Sequence, residues 1–125
     1  MAIFQQTLEK LEHFTLLATT TITGTGNQTG VDLLEYDGDI QIILAGTAAG
    51  ASADLTFRIE DSADNSSYAA VSGGTFTAIG NAASKQVITL NHDDLRRYVR
   101  LSCTAETGTA SSAVTCFGYG LKKYG

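Results

Sequence analysis

The sequence contains no proline and no tryptophan, and only 17% of its 125 residues are charged. An average globular domain has about a quarter of its residues charged, so uncharged polar groups must form much of the solvated surface of this protein. Threonine, serine, alanine and glycine dominate instead, a composition typical of short strands and tight turns. It does not indicate a disordered acidic chain, because 43% of the residues are apolar and they follow a regular pattern.

Long apolar runs and basic segments are also missing. No run approaches the roughly 18 apolar residues of a membrane span, and residues 1–25 lack the regions of a signal peptide. We therefore expect no membrane partner and synthesis in the cytoplasm. The net charge is −5, and neither Lys122-Lys123 nor the three arginines in residues 96–100 make a broad basic face. Nucleic acid is therefore not an expected partner.

The chain has two cysteines, Cys103 and Cys116, which flank the small-residue segment ETGTASS. They could face each other across a hairpin. In a reducing cytoplasm, however, buried free thiols are expected more often than a disulfide.

Alternation of apolar and polar residues is clearest in residues 53–61, ADLTFRIED. Leu55, Phe57 and Ile59 fall on one side, which predicts a half-buried antiparallel strand. Before it, Asp37-Gly38 predicts a turn and residues 39–46 predict an apolar strand. Small residues connect the two strands, so they are predicted to form a long hairpin.

Further segments read as strands, separated by turn residues every eight to twelve positions. They are FTLLATTTIT, TGVDLLEY, SYAAV, TFTAI, KQVITL, YVRLSCTA and SAVTCFGYGLKKY. The predicted fold is therefore all-β: a single antiparallel β-sandwich or jelly roll over residues 14–125.

Residues 1–13, MAIFQQTLEKLEH, differ in character. Phe4, Leu8 and Leu11 recur at helical spacing, which predicts a short helix or an N-terminal arm. Such a short segment is marginal alone in water, so it must lie on its own domain or on a neighbouring subunit. We favour the neighbour.

Catalytic, metal and cofactor sites are not predicted. The only histidines are His13 and His92, and the Asp93 and Asp94 that follow His92 point in different directions on a turn. We expect His92 to be a solvated turn residue. Three residues that could hold calcium, Asp61, Asp64 and Asn65, do not fit an EF-hand pattern and more simply form a turn.

The most polar stretch is LNHDDLRRYVRL, residues 90–101. Asn91 is predicted to cap a single turn, Leu95 to enter the core, and a strand to follow. Tyr98 and Arg100 should then share the face opposite Val99. The stretch is interpreted as a strand entrance, not as a catalytic centre.

Four segments, read in order, resemble the small virion proteins of tailed bacteriophages that decorate or cement the capsid. They are TTTITGTGNQTGVDLLEYDGDIQIIL, LTFRIEDSADNSSYAAVSGGTFTAI, LNHDDLRRYVRLSCTA and GYGLKKYG, and the likeness covers about residues 19–125. The resemblance implies a non-enzymatic, cofactor-free subunit on the capsid surface. It would assemble as a dimer or trimer and bind the major capsid protein. The residues predicted for subunit interfaces are Ile3, Phe4, Leu8, Leu11, Phe14, Lys122, Lys123 and Tyr124.

Two alternatives remain open at this point. One is another virion position, such as a neck or tail-completion protein. The other is a carbohydrate-binding module, because RYVRL preceded by a DS-turn hairpin also resembles discoidin-type jelly rolls. Sugar platforms usually use exposed aromatic rings. The tyrosines that could supply them here are Tyr36, Tyr68, Tyr98 and Tyr119.

Overall fold

The structure is a computed structural model that describes residues 11–122, most of which lie in β-strands. The strands are β1 (Leu11–Ile22), β2 (Gly26–Asn27), β3 (Val31–Asp32), β4 (Tyr36–Gly46), β5 (Asp54–Ser62), β6 (Ala69–Thr75), β7 (Ser84–Asn91), β8 (Tyr98–Thr107) and β9 (Ser112–Lys122). A 3₁₀ turn spans His92–Asp94. Within the described range, no helix is long and apolar enough to cross a membrane.

The strands form two antiparallel sheets. Sheet A has the order β1-β9-β4-β7, and sheet B has the order β2-β8-β5-β6, with β3 also paired to β8. Both sheets bury one face in a common core, which confirms the all-β sandwich.

The core follows directly from the period-two pattern. Ile40, Ile42 and Leu44 of β4 are at most 1% exposed, and so are Leu55, Phe57 and Ile59 of β5. Each such side chain contributes about 1.5–3 kcal/mol when it is fully buried. The two most apolar strands therefore supply the centre of the sandwich.

The predicted hairpin between these two strands is wrong. β4 pairs with β7 and β9 in sheet A, whereas β5 pairs with β6 and β8 in sheet B. The small-residue loop between them crosses from one sheet to the other. The crossing lets two strongly apolar faces bury each other, which edge-to-edge pairing within one sheet would not achieve.

The predicted turn at Asp37-Gly38 also has a different form. Gly38 has φ +73° and lies inside β4, where the register with β9 shifts between Asp37 and Gln41. The glycine thus permits a bulge within a strand. The preceding chain reversal lies at residues 33–36 instead, closed by the Tyr36 N–H donating to the Leu33 carbonyl at 3.0 Å.

The two cysteines do not face each other across a hairpin, because β8 and β9 lie in different sheets. Both thiols are free and buried, Cys103 being 3% and Cys116 0% exposed. Their predicted state, reduced and packed in the core, is therefore confirmed.

The boundary drawn at residue 13 falls inside a strand. β1 begins at Leu11, so Leu11 to His13 pair with β9 in sheet A and are not helical. Residues 1–10, the rest of the predicted arm, lie outside the described residues.

Candidate interaction surfaces

The polar stretch that opens β8 is a strand entrance, as predicted. The Asn91 side chain accepts a hydrogen bond from the Asp93 N–H at 2.8 Å and caps the 3₁₀ turn, and Leu95 packs against the core. His92 departs from the prediction of a solvated ring. It is half-buried, and its Nε2 lies 2.9 Å from the Leu33 carbonyl oxygen. The imidazole therefore ties this turn to the turn at residues 33–36.

The residues considered for calcium are not brought together as ligands. The Asp61 carboxylate accepts three hydrogen bonds from Arg96. Asp64 accepts hydrogen bonds from the Ser66 and Ser67 N–H groups at 2.9 and 3.0 Å. A different set converges instead: donor atoms of Asp37, His92 and Asp93 lie within 4.8 Å of one another. Both carboxylates are exposed, and such groups commonly gather without an ion, so these three donors alone do not define a metal site.

The outward face of sheet B carries an ion-pair network around one buried carboxylate. Glu60 is only 4% exposed and accepts hydrogen bonds from Arg58 Nε at 2.8 Å and Arg100 Nε at 2.9 Å. Burial acts to raise the pKa of Glu60, but the two guanidinium groups outweigh it and hold the pKa below its ordinary value. The network therefore joins β5 to β8 and keeps Glu60 ionised at neutral pH.

Two tyrosines on the same side of the molecule lie beside arginines. The Arg100 guanidinium is 4.0 Å from the centroid of the Tyr68 ring, and that of Arg97 is 5.1 Å from the centroid of Tyr98. Both distances permit cation–π attraction. Tyr98 and Arg100 share the face opposite the buried Val99, as predicted.

The outward face of sheet A carries several apolar and aromatic side chains. Its exposed and half-buried apolar side chains cross all four strands of the sheet and are here called the apolar stripe: Leu11, Ile43, Val87, Phe117, Tyr119 and Leu121. Leu11, Val87 and Tyr119 are 46%, 52% and 37% exposed. Phe117 and Tyr119 meet edge-on, with ring centroids 5.8 Å apart.

The centre of this face has no charged side chain. In one row across the sheet, Phe117 is flanked by Thr15, Ile43 and Val87; in the next row, Tyr119 lies among His13, Gln41 and Thr89. None of these side chains is an acid, a lysine or an arginine. The centre of this face is thus a row of apolar side chains beside an uncharged polar row. Depletion of charged residues is characteristic of the centre of a protein-contact surface.

The structure places the predicted interface residues in different environments. Leu11 lies on the apolar stripe, but Phe14 is 7% exposed and packs in the domain's own core, so it is not available to a partner. Lys122 lies at the end of β9, with its Nζ 3.9 Å from Glu12 and 3.7 Å from Glu35. The remaining predicted interface residues are outside the described range: Ile3, Phe4, Leu8, Lys123 and Tyr124.

Sequence reasoning missed most of the stripe, although β9 carried a signal for it. Phe117, Tyr119 and Leu121 alternate with Cys116, Gly118 and Gly120. The first set is large and apolar and lies on the outward face of β9. This alternation could have predicted that both faces of the strand make apolar contacts. Ile43 and Val87 became part of the stripe only through strand pairing.

No family model matches the chain, and no curated protein matches it in sequence. Among solved structures, the SPBc2 prophage-derived protein YomS is similar, with a TM-score of 0.55 at 8% identity over 88% of this chain and 93% of that one. The PBSX exported protein XepA matches with a TM-score of 0.51 at 16% identity, over 91% of this chain but only 38% of XepA.

A third similar structure is the CBM22-1 xylan-binding domain of Paenibacillus barcinonensis Xyn10C. It has a TM-score of 0.51 at 15% identity, over 92% of this chain and 83% of that domain. At such identities the likeness shows a shared sandwich fold alone. Because one fold carries many functions, the function must be argued from this chain's own surfaces.

Proposed function

We propose that this protein is a non-enzymatic structural subunit of a tailed-phage virion, which decorates the capsid and stabilises it by bridging capsid subunits. The observation that carries the proposal is the uncharged apolar stripe on a stiff two-sheet domain. An exposed surface of this kind costs solubility unless another protein covers it. The partners would be the major capsid protein and further copies of this chain.

The mechanism is mechanical. A subunit that binds other copies of this chain through one surface and the capsid through others would add protein–protein contacts. The internal pressure of the capsid would have to break these contacts as well. Many identical copies on one shell gain from avidity, so each contact can be modest. The resemblance of the sequence to phage decoration proteins and the shared fold of two phage-derived proteins support this role. The protein would then be made in the host bacterial cytoplasm and reside on the capsid surface.

Copy number tests the proposal. Purified particles of the source phage would be analysed by quantitative mass spectrometry, with the major capsid protein as the internal standard. A decoration protein should be present in tens to hundreds of copies that scale with the capsid lattice. About six or twelve copies would instead indicate a neck or tail-completion protein. Absence from the particles would overturn a virion role altogether.

A second candidate function, carbohydrate binding, is favoured by one observation. Tyr68 and Tyr98 lie on one side of the molecule beside Arg97 and Arg100, where aromatic and polar groups could contact a sugar. Tyr36 is buried and cannot contribute, being 6% exposed. Tyr119 lies on the opposite sheet. Binding on a glycan array that is lost in both Tyr68→Ala and Tyr98→Ala, but kept in Tyr119→Ala, would establish this function.

A further inference from the structure

The chain enters the described domain at one end of the apolar stripe. Leu11, the first residue of β1, pairs with Leu121 of β9, and both side chains belong to the stripe. β1 is an edge strand of sheet A. Residues 1–10 therefore connect to the domain at one end of the apolar stripe.

The composition of residues 1–10, MAIFQQTLEK, suits them to cover such a surface. Ile3, Phe4 and Leu8 are apolar, and the charges of Glu9 and Lys10 cancel. Because the stripe carries no charged side chain at its centre, an apolar segment would meet no unpaired charge there. Ten residues span at most about 36 Å when extended, and a sheet of four strands is about 14 Å wide.

The same ten residues are poorly suited to cover the stripe of their own chain. To do so, the chain would have to reverse direction just before β1. Tight reversals favour glycine, proline, asparagine or aspartate, and residues 1–10 contain none of these. A segment that continues beyond β1 without reversing would move away from its own stripe, which leaves the stripe open to a second copy.

We propose that the apolar stripe of each subunit is covered by residues 1–10 of a second copy of this chain. If two copies each cover the stripe of the other with residues 1–10, they form a closed dimer. If each copy covers the stripe of the next, they form a closed ring such as a trimer. Either arrangement is here called the exchange. The inference deepens the proposed function by naming one partner, and it rests on that proposal only in treating the stripe as a protein-contact surface. Attachment to a capsid is not required for it.

Intermolecular cysteine cross-linking tests the exchange. One copy carries Leu8→Cys, a second copy with a tag of different size carries Val87→Cys, and the two are co-expressed and oxidised. The native thiols should not compete, because Cys103 and Cys116 are 3% and 0% exposed. We expect a mixed dimer on a non-reducing gel that disappears on reduction. Leu34→Cys is the matched control: Leu34 is 53% exposed, as Val87 is 52%, but it lies outside the stripe.

Two cross-linking outcomes would overturn the inference. One is that Leu8→Cys cross-links to Leu34→Cys with the same yield as to Val87→Cys. The other is a Leu8→Cys/Val87→Cys double variant that closes only within single chains, which would mean that each segment covers its own stripe.

Light scattering provides an independent test on the full chain. We expect a mass of two or three protomers that falls to one protomer in Val87→Glu and on deletion of residues 1–10. Leu34→Glu should leave the mass unchanged. The Val87→Glu and Leu34→Glu variants should keep the circular dichroism of a β-sandwich, since both side chains are exposed. Circular dichroism is also measured for the deletion variant, so that loss of association can be told from loss of folding. A monomeric unaltered chain would overturn the exchange.

The two proposals fail separately. Decorated particles whose subunits do not cross-link would overturn only the exchange. Cross-linked oligomers that are missing from particles would overturn only the capsid role.

Discussion

The ring of Phe14 in β1 packs edge-on against the ring of Tyr36 in β4, with centroids 5.2 Å apart. The two strands are not neighbours, since β9 lies between them. The contact is possible because β9 presents Gly118 and Gly120 on its inward face. A Cβ at Gly118 would run into the Phe14 ring, and a Cβ at Gly120 would come within 2.8 Å of Tyr36. The segment GYG, residues 118–120, thus makes room for two aromatic rings while Tyr119 faces outward.

Gly118→Ala should therefore destabilise the domain. The added methyl group forces the Phe14 ring to move in a packed core, which typically costs about 1–3 kcal/mol. Gly26→Ala is the matched control, because a Cβ there has no neighbour within 4 Å, and it should change stability by less than about 0.5 kcal/mol. Urea denaturation followed by circular dichroism measures both. Equal effects of the two substitutions would contradict the packing role of Gly118.

Glu60→Gln should be more damaging than Asp32→Asn. Glu60 is nearly buried between two arginines, so its neutralisation leaves their guanidinium groups short of a partner; we expect a loss of about 1–3 kcal/mol. The Asp32–Arg97 pair is exposed, with side chains 41% and 45% accessible, and should be worth at most about 1 kcal/mol. Thermal melts at neutral pH compare the two variants. A larger loss of thermal stability in Asp32→Asn than in Glu60→Gln would contradict this prediction.

Acid should weaken the turn at residues 62–67. Hydrogen bonds from the Ser67 N–H, the Ser62 hydroxyl and the Ser66 N–H lower the pKa of Asp64 from 3.8 to about 2. A carboxyl with a lowered folded-state pKa contributes its full stabilisation above its unfolded-state pKa. That contribution is lost as the pH falls from about 4 to 2. Carbon-detected NMR titration should find the low pKa. The stability difference between the unaltered chain and Asp64→Asn should also shrink over this range, and a constant difference would argue against the turn.

Both thiols should be unreactive in the folded protein. Burial raises the pKa of Cys116 to about 12, and it is the main cause that raises the pKa of Cys103. Because the thiolate is the reactive form, a disulfide reagent at pH 8 should titrate no thiol before unfolding and two after it. Rapid reaction of one equivalent in the native protein would show that Cys103 is accessible.

Local features were predictable because their causes are local. The Asn91 cap and the Asp64 turn each involve side chains and amides two or three residues apart. Strands such as β5 were recognisable because alternate residues of any strand face opposite sides. The buried, unbridged cysteines were predicted from the expectation that the protein is made in a reducing cytoplasm.

The errors concern relationships between distant segments. Phe14 was predicted to lie at a subunit interface, yet its ring packs over Gly118, more than a hundred positions away in the chain. Strands β4 and β5, adjacent in sequence, were paired but lie in different sheets. Strand partners depend on which apolar faces bury each other, and the alternation within one strand does not contain that information.

The sequence by itself determined that this chain forms short antiparallel strands around one apolar core, with free cysteines and capped turns, because periodicity and turn chemistry act over a few residues. Only the tertiary structure decided which strands share a sheet. It therefore also decided that Ile43, Val87, Phe117 and Tyr119, drawn from three strands, meet at the uncharged centre of one outer face. That surface exists because lateral pairing sets distant residues about 5 Å apart.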